Sequence, residues 1–224
     1  MRPLAPKTDM NRPFAVLCFW IAGLWGAGVS LCVGEATPDE IPAKFNRALK
    51  LGGAAPGWDG LPEIHRGKLG LEDLRESPLL VLFFTRNNCP MSKKYAQRIQ
   101  DLSRDFGNRG VLFVAVNSSR KPGEDLDAMR EKHRQMDWKF PYLKDLDGKL
   151  AKAYGPTVTP QFFLLNRERR IVYMGALDDH PDPRKVQEHY LKWAIEQVLA
   201  GNQVEIPESL PLGCEIEDPD DPLQ

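Results

Sequence analysis

The sequence is poor in residues that cross-link or ligate. Four cysteines are spread over 224 residues, at positions 18, 32, 89 and 214, and no two of them form a CxxC pair or a CxxCH run. Zinc ribbons, dithiol active sites and c-type haem attachment are therefore excluded as local motifs. The four histidines, His65, His133, His180 and His189, lie far apart, and none stands at metal-ligand spacing beside a cysteine. No metal and no cofactor is expected on that pattern. No sign of charge dominates: 30 Lys and Arg stand against 31 Asp and Glu, a net charge of −1. That gives no electrostatic case for a nucleic-acid partner. A mean hydropathy of −0.41 excludes a polytopic membrane protein, and there is no internal repeat. What remains is a chain 42% hydrophobic and 27% charged, enough to bury one ordinary core.

Charge is absent from one stretch, residues 13–34, which follows Arg2, Lys7 and Arg12. A basic segment ahead of an apolar run is the physical requirement for membrane insertion with the N-terminus inside. Gly34 and Ala36 are small residues at cleavage-site spacing, so residues 1–36 read as a signal peptide. The run is also long enough to span a bilayer as an uncleaved anchor, although Gly23, Gly26 and Gly28 weaken that reading. In either case the folded part faces an extracytoplasmic, oxidising compartment, periplasm or cell envelope. Membrane contact is expected only through residues 13–34, if they are retained. Cys18 and Cys32 fall in this segment, which leaves the body of the chain with Cys89 and Cys214.

Beyond residue 36 the pattern alternates. Residues 37–52 read as a linker and helical lead-in, with Ile41, Phe45 and Leu49 at four-residue spacing. Turn signals at Asp59-Gly60 and Arg66-Gly67-Lys68 separate short extended pieces. Residues 79–84 (LLVLFF) and 111–116 (VLFVAV) are continuous apolar runs, as strands covered on both faces require. Between them Tyr95, Ile99, Leu102 and Phe106 mark a helical stripe closed by Gly107. Residues 125–136 suit a charged surface helix and 145–155 a turn with a short helix. Residues 161–165 and 171–174 read as two strands across a polar turn. Val186, Tyr190, Trp193 and Val198 mark a last amphipathic helix ended by Gly201. From Asn202 the chain is Pro-rich and ends acidic. The order β-α-β-α-β-β-α implies an α/β domain over 53–201, a mixed central sheet flanked by helices on both faces, followed by a tail, 202–224.

Cys89 stands where a buried strand feeds a helix, in Asn87-Asn-Cys-Pro-Met-Ser-Lys93. The first turn of a helix has unpaired N–H groups and a partial positive charge, and both stabilise a thiolate. Pro90 fits an early helical position because it has no N–H to lose, and Lys93 and Lys94 add positive charge. Thr157-Val-Thr-Pro160 precedes the strand 161–165; a proline there is explained by a cis Thr159–Pro160 bond turning the backbone toward the neighbouring loop, or by an ordinary trans proline at a strand start.

Taken in order, these segments resemble the thioredoxin-like redoxins, the superfamily of thioredoxins and of peroxiredoxins of the AhpC/TSA type. The likeness spans residues 50–216. It rests on 79–84, Cys89-Pro-Met-Ser92 with Lys93, 111–117, Ala153-Tyr-Gly-Pro-Thr-Val-Thr-Pro160 and 166–175. Gly213-Cys214 is similar to the end of a bacterial redoxin subgroup that closes in a Gly-Cys motif. The resemblance implies a thioredoxin fold and a thiol oxidoreductase. Cys89 would be the nucleophile on a disulfide or oxidised sulfur, with Pro90, Ser92, Lys93, Thr159 and Pro160 supporting the site. Substrates would be protein disulfides, low-molecular-weight thiols or peroxides, with an external thiol as reductant. Alternatives are a peroxiredoxin-like peroxidase and a redox-inactive binding module. Three departures stand out. Ser92 replaces the second cysteine of a dithiol site. Phe83 stands where thioredoxins bury an acid. Thr85 lies four residues before Cys89 where peroxiredoxins place a threonine three before. Cys214 then has three possible roles: a resolving thiol for Cys89, a permanent staple of the tail, or a partner for another chain.

Overall fold

The computed structural model describes residues 40–216. The expected targeting segment, 1–36, and the acidic end, 217–224, lie outside the described residues. The chain forms β1 (Ile41–Pro42), β2 (Lys50–Leu51), β3 (Leu61–Glu63), β4 (Gly67–Leu69), β5 (Leu79–Phe84), α1 (Pro90–Gly107), β6 (Val111–Asn117), α2 (Leu126–Gln135), β7 (Tyr142–Lys144), α3 (Lys149–Tyr154), β8 (Val158–Thr159), β9 (Gln161–Leu165), β10 (Ile171–Gly175), α4 (Tyr190–Leu199) and β11 (Cys214–Glu215).

Seven strands make one mixed sheet in the order β10-β9-β5-β6-β7-β3-β4. β5 runs parallel to β6 and antiparallel to β9, so every residue of β5 is buried. Strand alternation then divides its side chains between two cores. Leu79, Val81 and Phe83 pack with Tyr95, Ile99 and Phe106 of α1, Met129 of α2, and Leu191 and Ile195 of α4. Leu80, Leu82 and Phe84 pack on the other face with Leu150, Ala151 and Tyr154 of α3, and with Leu49, Leu51 and Trp58. Each such buried Leu or Phe contributes about 1.5–3 kcal/mol relative to exposure. This is a thioredoxin fold, and it puts the C-terminal end of β5, the start of α1 and the β8–β9 junction at one edge of the molecule.

Three segments depart from the sequence expectation. The lead-in is not helical: β1 and β2 pair as a small antiparallel hairpin. The buried Asn46 side chain explains it, because its Oδ1 accepts from the N–H groups of Ala48 and Leu49 (2.8 and 2.9 Å) and so turns the chain. Ile41 is 57% exposed while Leu49 is buried, so the four-residue spacing does not define one face. The last helix starts four residues later than expected, at Tyr190, because the Asp179 carboxylate holds the N–H groups of Gln187 and Glu188 in an irregular turn. Asp178-Asp179-His180 reads in sequence as a solvated loop more readily than as a small polar site, yet the structure packs it in: Asp178 is 2% exposed and ion-paired with Arg98 of α1.

The tail is docked along its described length. Ser209 is buried, its Oγ contacts the Tyr173 hydroxyl at 2.7 Å and accepts from Ala176 N–H at 3.0 Å. Met174 N–H donates to Pro207 O, and Ser209 N–H to Met174 O. Glu208 reaches back to the lead-in, where its carboxylate accepts from the N–H groups of Lys44 and Phe45, each at 2.6 Å.

Candidate active site

Cys89 is the N-cap of α1 in extended backbone, and Pro90 takes the first helical position. The N–H of Ser92 donates to Cys89 Sγ at 3.3 Å. That is the anion-favouring contact a helix start provides. Thr159–Pro160 is cis, as one reading of the sequence expected, and it turns the Thr159 carbonyl oxygen to 3.1 Å from Cys89 Sγ, placed to accept the S–H of a reduced thiol. Cys89 and Cys214 form a disulfide with Cα atoms 6.2 Å apart, across a sequence separation of 125, inside the range disulfide geometry allows. Cys89 is 0% exposed beneath this bridge, while Cys214 is half-buried.

The other residues singled out from the sequence fall into two groups. Ser92 is buried, and Thr85 Oγ1 donates to Ser92 Oγ at 2.9 Å. Pro90 and Lys93 are exposed. Lys93 lies near Lys132, whose pKa is held down by burial first and by the Lys93 charge second. The gap at Phe83 is filled by an aromatic group: Phe83 stacks on Phe162 and meets Trp138 and Phe140 edge-on. No proton acceptor exists at that position.

A buried carboxylate does sit under the loop that carries Cys89, and sequence reasoning missed it. Glu124 is 1% exposed. It accepts from Asn87 N–H at 2.8 Å, Asn88 N–H at 3.0 Å and Asn117 Nδ2 at 2.8 Å. Asn117 Nδ2 also donates to the Tyr142 hydroxyl, which donates to Asn87 Oδ1, each at 3.1 Å. Burial pushes the Tyr142 hydroxyl far up, so it stays protonated as a donor. The network clamps residues 87–88, immediately before Cys89. Nothing in Pro122-Gly-Glu124 announces it, because the partners come from β6, β7 and the β5–α1 loop.

Two histidines far apart in sequence do meet: His65 Nε2 lies 3.5 Å from His133 Nδ1, and His133 Nε2 contacts Phe140 O at 2.9 Å. Among the described residues no group of three or more His, Cys, Asp or Glu converges as a metal site would require.

A helix-capping cysteine facing a cis-proline, on this mixed sheet, defines a thioredoxin-fold redoxin. Residues 51–174 match the AhpC/TSA family, and the chain belongs to it. It is similar to the thiol-disulfide oxidoreductase ResA of Bacillus thuringiensis subsp. konkukian (strain 97-27), 23% identical over 145 residues, 65% of this chain and 76% of that protein. Its structure superposes on a hypothetical protein from Sinorhizobium meliloti 1021 with a TM-score of 0.71 and 34% identity, covering 76% and 96% of the two chains. A putative thioredoxin from Neisseria meningitidis shares the fold at a TM-score of 0.53 and 22% identity, over 66% and 90%.

Proposed function

We propose that this protein is an exported thiol–disulfide oxidoreductase in which Cys89 is the nucleophile and Cys214 the resolving thiol. The carrying observation is the Cys89–Cys214 bridge itself, formed at a helix N-terminus beside a cis-proline. In the reduced protein the Cys89 thiolate attacks one sulfur of a substrate disulfide, forming a mixed disulfide and releasing one substrate thiolate. Cys214 then attacks Cys89 Sγ, closes the bridge and releases the second substrate thiolate. Two electrons pass from the protein to the substrate, and an external thiol reopens the bridge. Ser92 cannot resolve the intermediate; Cys214 supplies what the missing second cysteine of a dithiol site would.

A peroxidase reading is less well supported, because the Thr85 hydroxyl is committed to Ser92 Oγ. Export rests on the uncharged run 13–34 behind its basic residues.

The test is trapping. The Cys214→Ser variant should accumulate a Cys89 mixed disulfide with a disulfide substrate, and Cys89→Ser should form none. Alkylation of Cys89 in Cys214→Ser should show an apparent pKa below the roughly 8.5 of a free thiol. Absence of any trapped adduct, with a pKa at or above that value, would leave only the binding-module reading.

A further inference from the structure

β8 is two residues long, and its strand partner is β11, the end of the tail. Cys214 is opposite Thr159 and Glu215 opposite Val158, while Ile216 N–H donates to Thr157 O at 3.1 Å. The four tail residues meet this edge unequally. A Cβ on Gly213 would lie 2.3 Å from Thr159 O and 2.7 Å from its carbonyl carbon, so no side chain fits there. Cys214 meets Cys89. Glu215 is exposed. Ile216 packs against the core cluster that holds Phe84 and Leu143. With this strand seated Cys89 is 0% exposed, so a substrate reaches it only when the strand lifts. The docking at Ser209 leaves a short arm beyond it to move.

Building on the proposed exchange reaction, we propose that residues 213–216 occupy the substrate groove. An extended, cysteine-bearing polypeptide adds to β8 as an antiparallel strand, and the tail is its built-in competitor. The tail states the preference of the groove: a small residue before the cysteine, any residue after it, and an aliphatic residue at the second position after. In the reduced protein such a peptide disulfide displaces the arm, its sulfur bonds to Cys89, and its other half leaves as a thiolate. Cys214 and the peptide cannot hold the edge together. Resolution therefore waits until the peptide strand peels off β8 while still tethered through sulfur; Cys214 then takes its place, forms the bridge and expels the peptide thiolate.

The experiment uses the full chain carrying Cys214→Ser, in which the arm seats but cannot bridge, and the same chain with Gly213→Val or Ile216→Asp added to unseat it. The probes are Ala-Gly-Cys-Glu-Ile-Ala-amide and its analogue with Trp for Gly, each with the cysteine as a mixed disulfide to thionitrobenzoate, and the small disulfide dithiobis(nitrobenzoate). A side chain forced into this packed position disfavours the seated peptide, so in the unseated variants the Gly peptide should release thionitrobenzoate roughly tenfold faster than the Trp peptide. Both unseating substitutions should accelerate the Gly peptide relative to Cys214→Ser alone. Equal rates for the two peptides in every variant, with the small disulfide still reacting, overturn the groove assignment and leave the exchange reaction standing. No release from any probe overturns both.

Discussion

At the scale of single residues, the site depends on a side chain that does no chemistry. Glu124 satisfies two backbone N–H groups of the Cys89 loop and the Asn117 amide from inside the protein. Removing a buried acceptor leaves its donors desolvated and unpaired. Glu124→Ala should therefore destabilise the oxidised protein by about 3 kcal/mol or more, read as a shift of the urea midpoint, with Glu124→Gln intermediate because one oxygen remains. A midpoint unchanged in Glu124→Ala would mean that water replaces the carboxylate at no cost. Ser92 is the opposite case: its backbone N–H faces the sulfur while its hydroxyl is spent on Thr85, so helix geometry, more than the serine itself, prepares Cys89.

At the scale of elements, α2 carries a pH dependence. His133 is 9% exposed, and its pKa is lowered chiefly by burial, opposed by the contact with Phe140 O. In the native state it binds protons less readily than in the unfolded chain, whose histidine titrates near 6.5. The stability it supports is thus full above about pH 6.5 and falls as pH drops below that toward the native pKa. Denaturation midpoints at successive pH values from 7.5 down to about 5 should show this loss in the wild type, and a shallower one in His133→Gln. An identical slope in both proteins would place the acid sensitivity elsewhere. The docking of the tail on β10 offers a second test. Gly175 has φ +145°, and a Cβ there would lie 2.4 Å from Ser209 O and Oγ. Gly175→Ala should push Ser209 out, costing roughly 1–3 kcal/mol and slowing closure of the Cys89–Cys214 bridge by diamide, followed by thiol counting. Unimpaired closure would show that the arm reaches Cys89 without this anchor.

At the scale of the whole molecule, the bridge ties the last described strand to the first long helix. In the chain-entropy account, a cross-link over a separation of 125 residues constrains the unfolded chain by about 4–5 kcal/mol. Reduction should lower the unfolding free energy by an amount of that order, and the Cys89→Ser/Cys214→Ser protein should match the reduced wild type. A much smaller difference would mean that the arm leaves β8 in the reduced protein, so that the bridge restrains the native chain as well as the unfolded one. That outcome fits a bridge that opens and closes in turnover better than one that serves as a permanent staple.

Local sequence determined the two buried strands of the sheet centre, since LLVLFF and VLFVAV have no polar face to turn to water. It determined α1, whose stripe and capping cysteine are written within eighteen residues. A cis peptide was one reading of Pro160. Tertiary structure alone decided the rest. The lead-in is a hairpin because Asn46 turns it and Glu208 holds it from the far end of the chain. Glu124 and Asp178 look like surface carboxylates in sequence and are buried by partners on other elements. The pairing of Cys214 with Cys89 was not legible in the sequence, and it rests on Gly213 and Ser209 fitting where no side chain, or only a small one, can go. Periodicity and capping act within a few turns of chain, whereas these contacts span up to 164 residues, and only the folded sheet brings their partners together.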